Sequence, residues 1–197
     1  MTRIPATPTS RLLVGAGLVA GLATLSAAAG YLGLVTGAVP IDLGVGRRVR
    51  PLGPSTVVIR APRDVVFDVI AQPYLGRATR AMREKVHVLQ AGSDMVLAAH
   101  RTPIRNRLVA TTVETVHFTR PERVDFRLVR GPVPHVVEEF VLTERDAGTE
   151  LTYRGELGTD LGPVGQRWGD LVARRWEHAV AETLDAVKAE AERRARK

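Results

Sequence analysis

The sequence has no cysteine and few aromatic residues, which make up 5% of its 197 residues. Without cysteine there can be no disulfide bond, thiol nucleophile, iron–sulfur cluster, cysteine-based zinc site or lipoprotein anchor. A hydrophobic fraction of 45% and a charged fraction of 25% are typical of a globular chain rather than a disordered one. The length fits one domain of ordinary size with an additional segment.

The net charge is positive, with 28 Lys and Arg against 21 Asp and Glu, but the excess lies near the two ends. Residues 1–50 contain five arginines and one aspartate, and residues 193–197 contain four basic residues. The part between them is close to neutral. We therefore expect no nucleic-acid partner, because binding phosphates would need a basic surface on the folded domain.

The longest uncharged run is LLVGAGLVAGLATLSAAAGYLGLVTGAVPI, from Leu12 to Ile41, about 30 residues. A helix needs roughly 20 apolar residues to cross a bilayer. We predict an N-terminal segment, residues 1–41, with a single transmembrane helix at about residues 12–39, and a linker at residues 42–53. The lipid bilayer is thus a predicted partner. The arginines on both sides slightly favour a cytoplasmic position for the rest of the chain.

This run also fits three other patterns. A signal peptide cleaved at Ala27-Ala28-Ala29 would export the protein, although the apolar run continues beyond that site. The sequence Gly15-Ala16-Gly17-Leu18-Val19-Ala20 fits a dinucleotide fingerprint but lacks the preceding strand and the acidic residue about 20 positions later. The spacing of Gly17 and Gly21 would let two membrane helices approach closely, which predicts a homodimer through that face.

Beyond the linker the periodicity predicts an α+β domain at residues 54–197. Residues 55–60 predict a strand, and short helices follow at residues 61–72 and 75–83. Alternating apolar and polar residues then predict six strands, at residues 85–90, 94–100, 107–118, 123–130, 135–143 and 150–157. Their short connections require antiparallel pairing. An amphipathic helix from about Pro163 to Ala195 ends the chain, so we expect a curved sheet of six to seven strands packed on it.

Four stretches of the domain resemble the START/polyketide-cyclase superfamily (SRPBCC). They are Ile59-x-Ala61-Pro62-xxx-Val66-Phe67-x-Val69-Ile70, and residues 121–126 (PERVDF), 140–143 (FVLT) and 148–153 (GTELTY). The likeness covers roughly Pro54 to the C-terminus. It implies the helix-grip fold, in which sheet and helix enclose a hollow. It does not imply one function, because the superfamily includes lipid carriers, hormone receptors and aromatic cyclases.

The candidate site residues are those expected to point into this hollow. Alternation along the strands places four of them on the inner face of the sheet: Phe126, Arg130, Glu138 and Tyr153. The apolar face of the long helix adds Trp168 and Trp176. We expect Glu138 and Arg130 to pair at the mouth of the hollow, since a buried charge needs a partner. The serines and histidines fit no catalytic or metal-binding spacing. We therefore predict no catalytic residue, no metal and no cofactor.

The sequence favours a membrane-tethered domain that binds a hydrophobic small molecule, such as a lipid or an isoprenoid- or polyketide-like compound, rather than an enzyme. Pockets for such molecules are mostly apolar with a few polar groups. Two alternatives remain open. One is an enzyme of the polyketide cyclase or aromatase kind, which would need at least two polar groups deep in the hollow. The other is a membrane-associated module that binds a protein and has no catalytic activity.

Overall fold

The computed structural model describes residues 26, 28–76, 78–104 and 108–197. A helical segment at residues 28–35 precedes the domain. The elements that follow are, in chain order, β1 (Arg48–Ile59), α1 (Arg63–Ala71), α2 (Arg80–Lys85), β2 (Val86–Ala91), β3 (Met95–Pro103), β4 (Val109–Thr119), β5 (Arg123–Arg130), β6 (His135–Arg145), β7 (Gly148–Thr159) and α3 (Gly162–Ala195).

The seven strands form one antiparallel sheet in the order β1-β7-β6-β5-β4-β3-β2. Strands β2 to β7 follow one another as neighbours, while β1 pairs with β7 and becomes an edge strand. Alternate residues of β4 and β6 are buried, so one face of the sheet is turned toward α3. The predicted α+β architecture of a seven-stranded sheet and a long C-terminal helix is confirmed.

Strand β1 begins at Arg48, inside the stretch that the sequence predicted to be a linker. Pro51 and Pro54 suggested a loop there, because proline cannot donate to a strand ladder. At the edge of a sheet this restriction is mild, since only one side of the strand is paired. The register between β1 and β7 shifts between Leu52 and Ser55, and this irregularity accommodates Pro54.

The long helix lies closest to β1, β7 and α1. Small residues permit this approach, since a Cβ at Gly169 would lie 3.0 Å from the side chain of Thr159. Further along the helix, Trp176 and Val180 are only half-buried and pack against the core. We call the region between the inner face of the sheet and α3 the interior.

Residues 28–47, here called the docked segment, pack against one end of the sheet. Its helix ends at residue 35, and the backbone turns at Gly37, which has a φ of 71°. The amide of Thr111 donates to the carbonyl oxygen of Thr36 at 3.0 Å, and Val35 is buried. The helix of the docked segment therefore ends about four residues before residue 39, where the sequence predicted the end of a transmembrane helix.

The earlier part of that predicted helix, including Gly17 and Gly21, lies outside the described residues, as does Ala27 of the alternative cleavage site. Across the residues that are described, no helix combines the length and the apolar character needed to cross a membrane.

Asp160, between β7 and α3, fastens the docked segment to the domain. Its carboxylate accepts the amides of Leu43 at 2.6 Å and Gly44 at 2.8 Å, and Arg47 Nε at 2.7 Å. Its side chain is only 1% exposed. The Arg47 guanidinium holds the pKa of Asp160 at about 2, so the carboxylate is charged at all ordinary pH values.

Candidate functional site

Glu138 is the most unusual side chain of the interior, because it is a carboxylate that is only 6% exposed. It faces inward from β6, opposite Phe126 on β5 and Gly155 on β7. Its Oε1 accepts a hydrogen bond from the Tyr153 hydroxyl at 2.5 Å and another from Trp176 Nε1 at 2.6 Å. Sheet and helix thus both contribute a donor to the same carboxylate oxygen.

The second oxygen of Glu138, Oε2, has no hydrogen-bond partner among the described residues. In the same part of the chain, no fully enclosed side-chain oxygen or nitrogen lacks a partner. Oε2 must therefore border open space rather than protein. Gly155 helps to leave this space, since a Cβ there would come within 3.0 Å of Glu138 Cγ.

A second polar group lies on the inner faces of β3 and β4. Glu114, 5% exposed, accepts the Thr112 hydroxyl at 2.6 Å on Oε1. Its Oε2 lies 2.9 Å from His100 Nδ1, and His100 Nε2 lies 3.0 Å from the hydroxyl of Tyr74. Every polar atom of the Glu114 and His100 side chains is therefore paired within the protein.

The two polar groups are separated by β5 and by aromatic rings. Glu114 is opposite Leu128 and Glu138 is opposite Phe126, so the two residues lie two strand spacings apart and two positions out of step, about 12 Å between their backbones. The ring of Phe126 lies between them, 6.2 Å from Tyr74 and 5.6 Å from Phe140, and Phe140 lies 5.3 Å from Tyr153. The interior is thus apolar between two separate polar ends.

Burial and the nearby Glu114 carboxylate raise the pKa of Glu138 from 4.5 to about 7. The hydrogen bonds from Tyr153 and Trp176 act in the opposite direction and limit the rise. A carboxyl group with this pKa is about half protonated at neutral pH, so its open oxygen can either accept a proton or donate one.

His100 responds to its surroundings in the opposite sense. Burial lowers its pKa, but the Glu114 carboxylate more than offsets this effect, and the net result is a raised pKa. A protonated His100 donates to Glu114 through Nδ1 and to the Tyr74 oxygen through Nε2. Burial also raises the pKa of Tyr74, which therefore remains a phenol that can donate its own proton.

The structure brings together Glu138, Tyr153 and Trp176 from the six candidates of the sequence, with Phe126 beside them. Trp168 lies elsewhere: its Nε1 donates to the Pro132 carbonyl at 2.8 Å, and its ring packs against Tyr31 of the docked segment. Whether these residues bind a ligand remains a prediction.

The expected pairing of Glu138 with Arg130 is not observed, and Arg130 is exposed. The reason is a register shift between β4 and β5, where Val113 is opposite Arg130 but Glu114 is opposite Leu128. The extra residue, Val129, reverses the parity of the strand. Val113 precedes the inward-facing Glu114 and therefore faces outward. Arg130, which is opposite Val113, faces outward as well.

Four residues of the interior were not predicted from the sequence: Glu114, His100, Thr112 and Tyr74. For three of them a signal was present, because Val96, Ala98 and His100 share one strand parity, as do Thr112, Glu114 and Val116. Tyr74 follows α1 in a turn, where no periodicity indicates a direction.

Two other features of the described chain bear on where the site lies. No three histidine, aspartate or glutamate side chains converge there as metal ligands would. A groove of about 510 Å³ lies on the outer side of the sheet, where Glu139 forms ion pairs with Arg123 and Arg154. The charged side chains of this groove are already paired with one another, so they need no ligand as a partner. We therefore place the candidate site in the interior.

Solved structures with this fold include two aromatase/cyclases. Zhui from Streptomyces sp. R1128 is 21% identical with a TM-score of 0.58, over 75% of this chain and 95% of that one. The di-domain BexL of the BE-7585A biosynthetic pathway is 17% identical with a TM-score of 0.54, over 77% and 51%. TTHA0849 from Thermus thermophilus is 15% identical with a TM-score of 0.52, over 74% and 94%. At these identities the likeness establishes the fold alone.

No curated protein matches the sequence. The family described as polyketide cyclase / dehydrase and lipid transport matches residues 54–192, which is most of the chain and nearly all of the domain. This match includes Tyr74, β3, β4, β6, β7 and most of α3, which carry the buried carboxylates and their partners. The chain therefore belongs to the polyketide cyclase / dehydrase and lipid transport family.

Proposed function

We propose that this chain binds a largely apolar small molecule in its interior, with one polar group of that molecule at Glu138. The observation that carries the proposal is the open Oε2 of a carboxylate that is otherwise almost completely buried. Because Oε2 borders open space, a ligand there can donate a hydrogen bond to it, and such a bond to a charged group contributes about 1.5–3 kcal/mol. The family description and the fold are consistent with such a ligand.

The charges around the site favour a neutral polar group on the ligand. Among the described residues no lysine or arginine is buried, whereas Glu114 and Glu138 are. A ligand carboxylate or phosphate would thus meet carboxylates without a lysine or arginine to compensate them, and His100 already pairs with Glu114. A hydroxyl that donates to ionised Glu138, or a carbonyl that accepts from the protonated form, fits this environment.

The proposal includes a membrane tether. The uncharged run that begins at Leu12 reaches the described chain at residue 28, where the docked segment leads directly into the domain. Apolar ligands partition into bilayers, so an anchored binding domain would collect or deliver them there. Flotation of the full chain with lipid vesicles tests this part separately from ligand binding.

The ligand can be sought by native mass spectrometry and organic extraction of the purified full chain. We expect a near-stoichiometric apolar compound that carries a hydroxyl or carbonyl oxygen. Glu138→Ala should retain less than about a tenth of it, because the loss of a hydrogen bond to a charged group weakens binding by about 1.5–3 kcal/mol.

Glu139→Ala is the matched control, because Glu139 is the next residue of β6 and faces the other side of the sheet. It should retain as much compound as the wild type. Equal amounts in Glu138→Ala and Glu139→Ala, or no compound in the wild type, would contradict the proposed site.

A second candidate function, acid–base chemistry of the cyclase kind, is favoured by the pKa of about 7 at Glu138. A general base or acid works best when its pKa lies near the working pH. Such an enzyme needs at least two polar groups deep inside, and Glu138 and the Glu114–His100 pair are two such groups.

Deuterium exchange at the carbon beside the carbonyl of an apolar methyl ketone tests this chemistry. Ionised Glu138 would remove the proton, so we expect exchange at least about 10-fold faster with the wild type than with Glu138→Gln. The rate should rise with pH through a midpoint near 7. NMR in D₂O measures the exchange rate. Equal rates for the two proteins would contradict the acid–base function and leave ligand binding as the proposed function.

A further inference from the structure

Exposed apolar side chains gather where the docked segment meets the start of α3. They come from both parts of the chain, and we call them the apolar end face: Tyr31, Leu32, Val39, Leu43, Val45, Leu161 and Val164. Val45 and Val164 are 65% and 72% exposed. A group of large apolar residues that remains exposed on a folded domain commonly marks an interaction site.

Direct contacts join the docked segment to the start of α3 at this face, beginning with the ring of Tyr31, which packs against Trp168. The amide of Leu161 donates to the Val45 carbonyl at 2.8 Å, and the amide of Gly162 donates to the Gly46 carbonyl at 3.0 Å. The Leu43 amide binds the carboxylate of Asp160. Leu43 and Val45 are therefore held beside Leu161 and the first turn of α3.

Arginines border the apolar end face. Arg48 is exposed and donates to Gln166 on the first turns of α3, and exposed Arg167 lies one helical turn after Val164. Exposed Arg130 precedes Gly131, which the turn at Gly37 contacts. Of the exposed acids near this face, Asp42 is paired with Arg47 and Glu156 with His135. The border thus has an excess of positive charge.

We propose that the apolar end face lies on the surface of a lipid bilayer, with its side chains among the acyl chains and the bordering arginines at anionic headgroups. Apolar residues flanked by Lys or Arg are the pattern of interfacial binding. The sequence favours a bilayer at this face, since Tyr31 and Leu32 belong to the same uncharged run that begins at Leu12. The inference rests on the proposed tether and adds which end of the domain touches the membrane.

This orientation places the ligand site close to the bilayer. Glu138 is the fourth residue of β6, and β6 begins at this same end of the sheet. Three residue steps along a strand span about 10 Å. An apolar ligand would therefore travel a short path between the acyl chains and the interior.

The test uses single-cysteine labelling, which is unambiguous because the chain has no cysteine of its own. Val164→Cys and Val45→Cys place a polarity-sensitive fluorophore on the apolar end face. Val58→Cys is the matched control, since Val58 is also exposed but lies near the other end of β1, about 30 Å from Arg48. The full-length variants are reconstituted in vesicles of phosphatidylcholine and phosphatidylglycerol and recovered by flotation.

We expect the labels at positions 164 and 45 to shift to shorter emission wavelengths and to be quenched by a lipid-borne quencher, with the label at position 58 unchanged. If the protein floats but all three labels report an aqueous environment, the apolar end face does not contact the bilayer, and only the tether is supported. Failure to float would overturn both. A shift without lipid that grows with protein concentration would identify a second copy as the occupant, and would overturn the bilayer proposal.

Discussion

Glu138→Gln is expected to raise the melting temperature at pH 8 by about 6–12 °C, although it removes the central group of the proposed site. The folded protein raises the pKa of this carboxyl from 4.5 to about 7. The folded state therefore binds the proton more tightly than the unfolded state. Stability from this group is fully present below pH 4.5 and is lost as the pH rises toward 7, by roughly 3 kcal/mol.

Glutamine is neutral at every pH and keeps an oxygen for Tyr153 and Trp176, so the variant avoids this loss. The difference in unfolding free energy between variant and wild type should be small near pH 4.5 and should reach its full size above pH 7. Urea denaturation across this range measures it. Glu139→Gln, on the outer face of the same strand, should show no such gain. A constant difference at all pH values would contradict the account of Glu138.

Asp160→Ala is expected to release the docked segment and to lower the free energy of unfolding by about 2–3 kcal/mol. It removes the acceptor for the amides of Leu43 and Gly44 and leaves Arg47 without its enclosed partner. Trypsin should then cleave after Arg47 and Arg48 much faster than in the wild type. Thermal unfolding and limited proteolysis of the full chain measure the two effects.

Asp42→Ala is the control for this change. Asp42 pairs with the same arginine but is 63% exposed, and exposed ion pairs contribute only about 0–1 kcal/mol. Its melting temperature and cleavage pattern should stay close to those of the wild type. If Asp160→Ala behaves like Asp42→Ala, the docked segment is held by contacts other than Asp160.

The sheet and the long helix were predictable because their signals are local and repeated. Alternation located all six later strands, and the boundaries of β5 were those observed. Apolar residues at helical spacing predicted α3 to within one residue of its start. The inward direction of Glu138 also followed from parity, since no bulge interrupts its pairing with β7.

The errors arose where structure depends on non-local geometry. One extra residue in β5 turns Arg130 outward, and the sequence of β5 contains no signal that predicts this bulge. Asp160 binds amides more than 100 positions earlier in the chain, so its role appears only after folding. The prolines of β1 suggested a loop, since a strand tolerates proline only at the edge of a sheet. That β1 is an edge strand is a property of the whole sheet and cannot be deduced from its own residues.

The most direct test of the account is the titration of Glu138 itself. Trp176 donates its indole proton to this carboxylate, so its fluorescence should report the charge of Glu138. Trp168→Phe leaves Trp176 as the single tryptophan of the chain. We predict a transition with a midpoint near pH 7 that persists in Glu139→Gln and is absent from Glu138→Gln. A midpoint near 4.5 would mean that Glu138 is an ordinary solvated carboxylate, and would contradict both its burial and its proposed role.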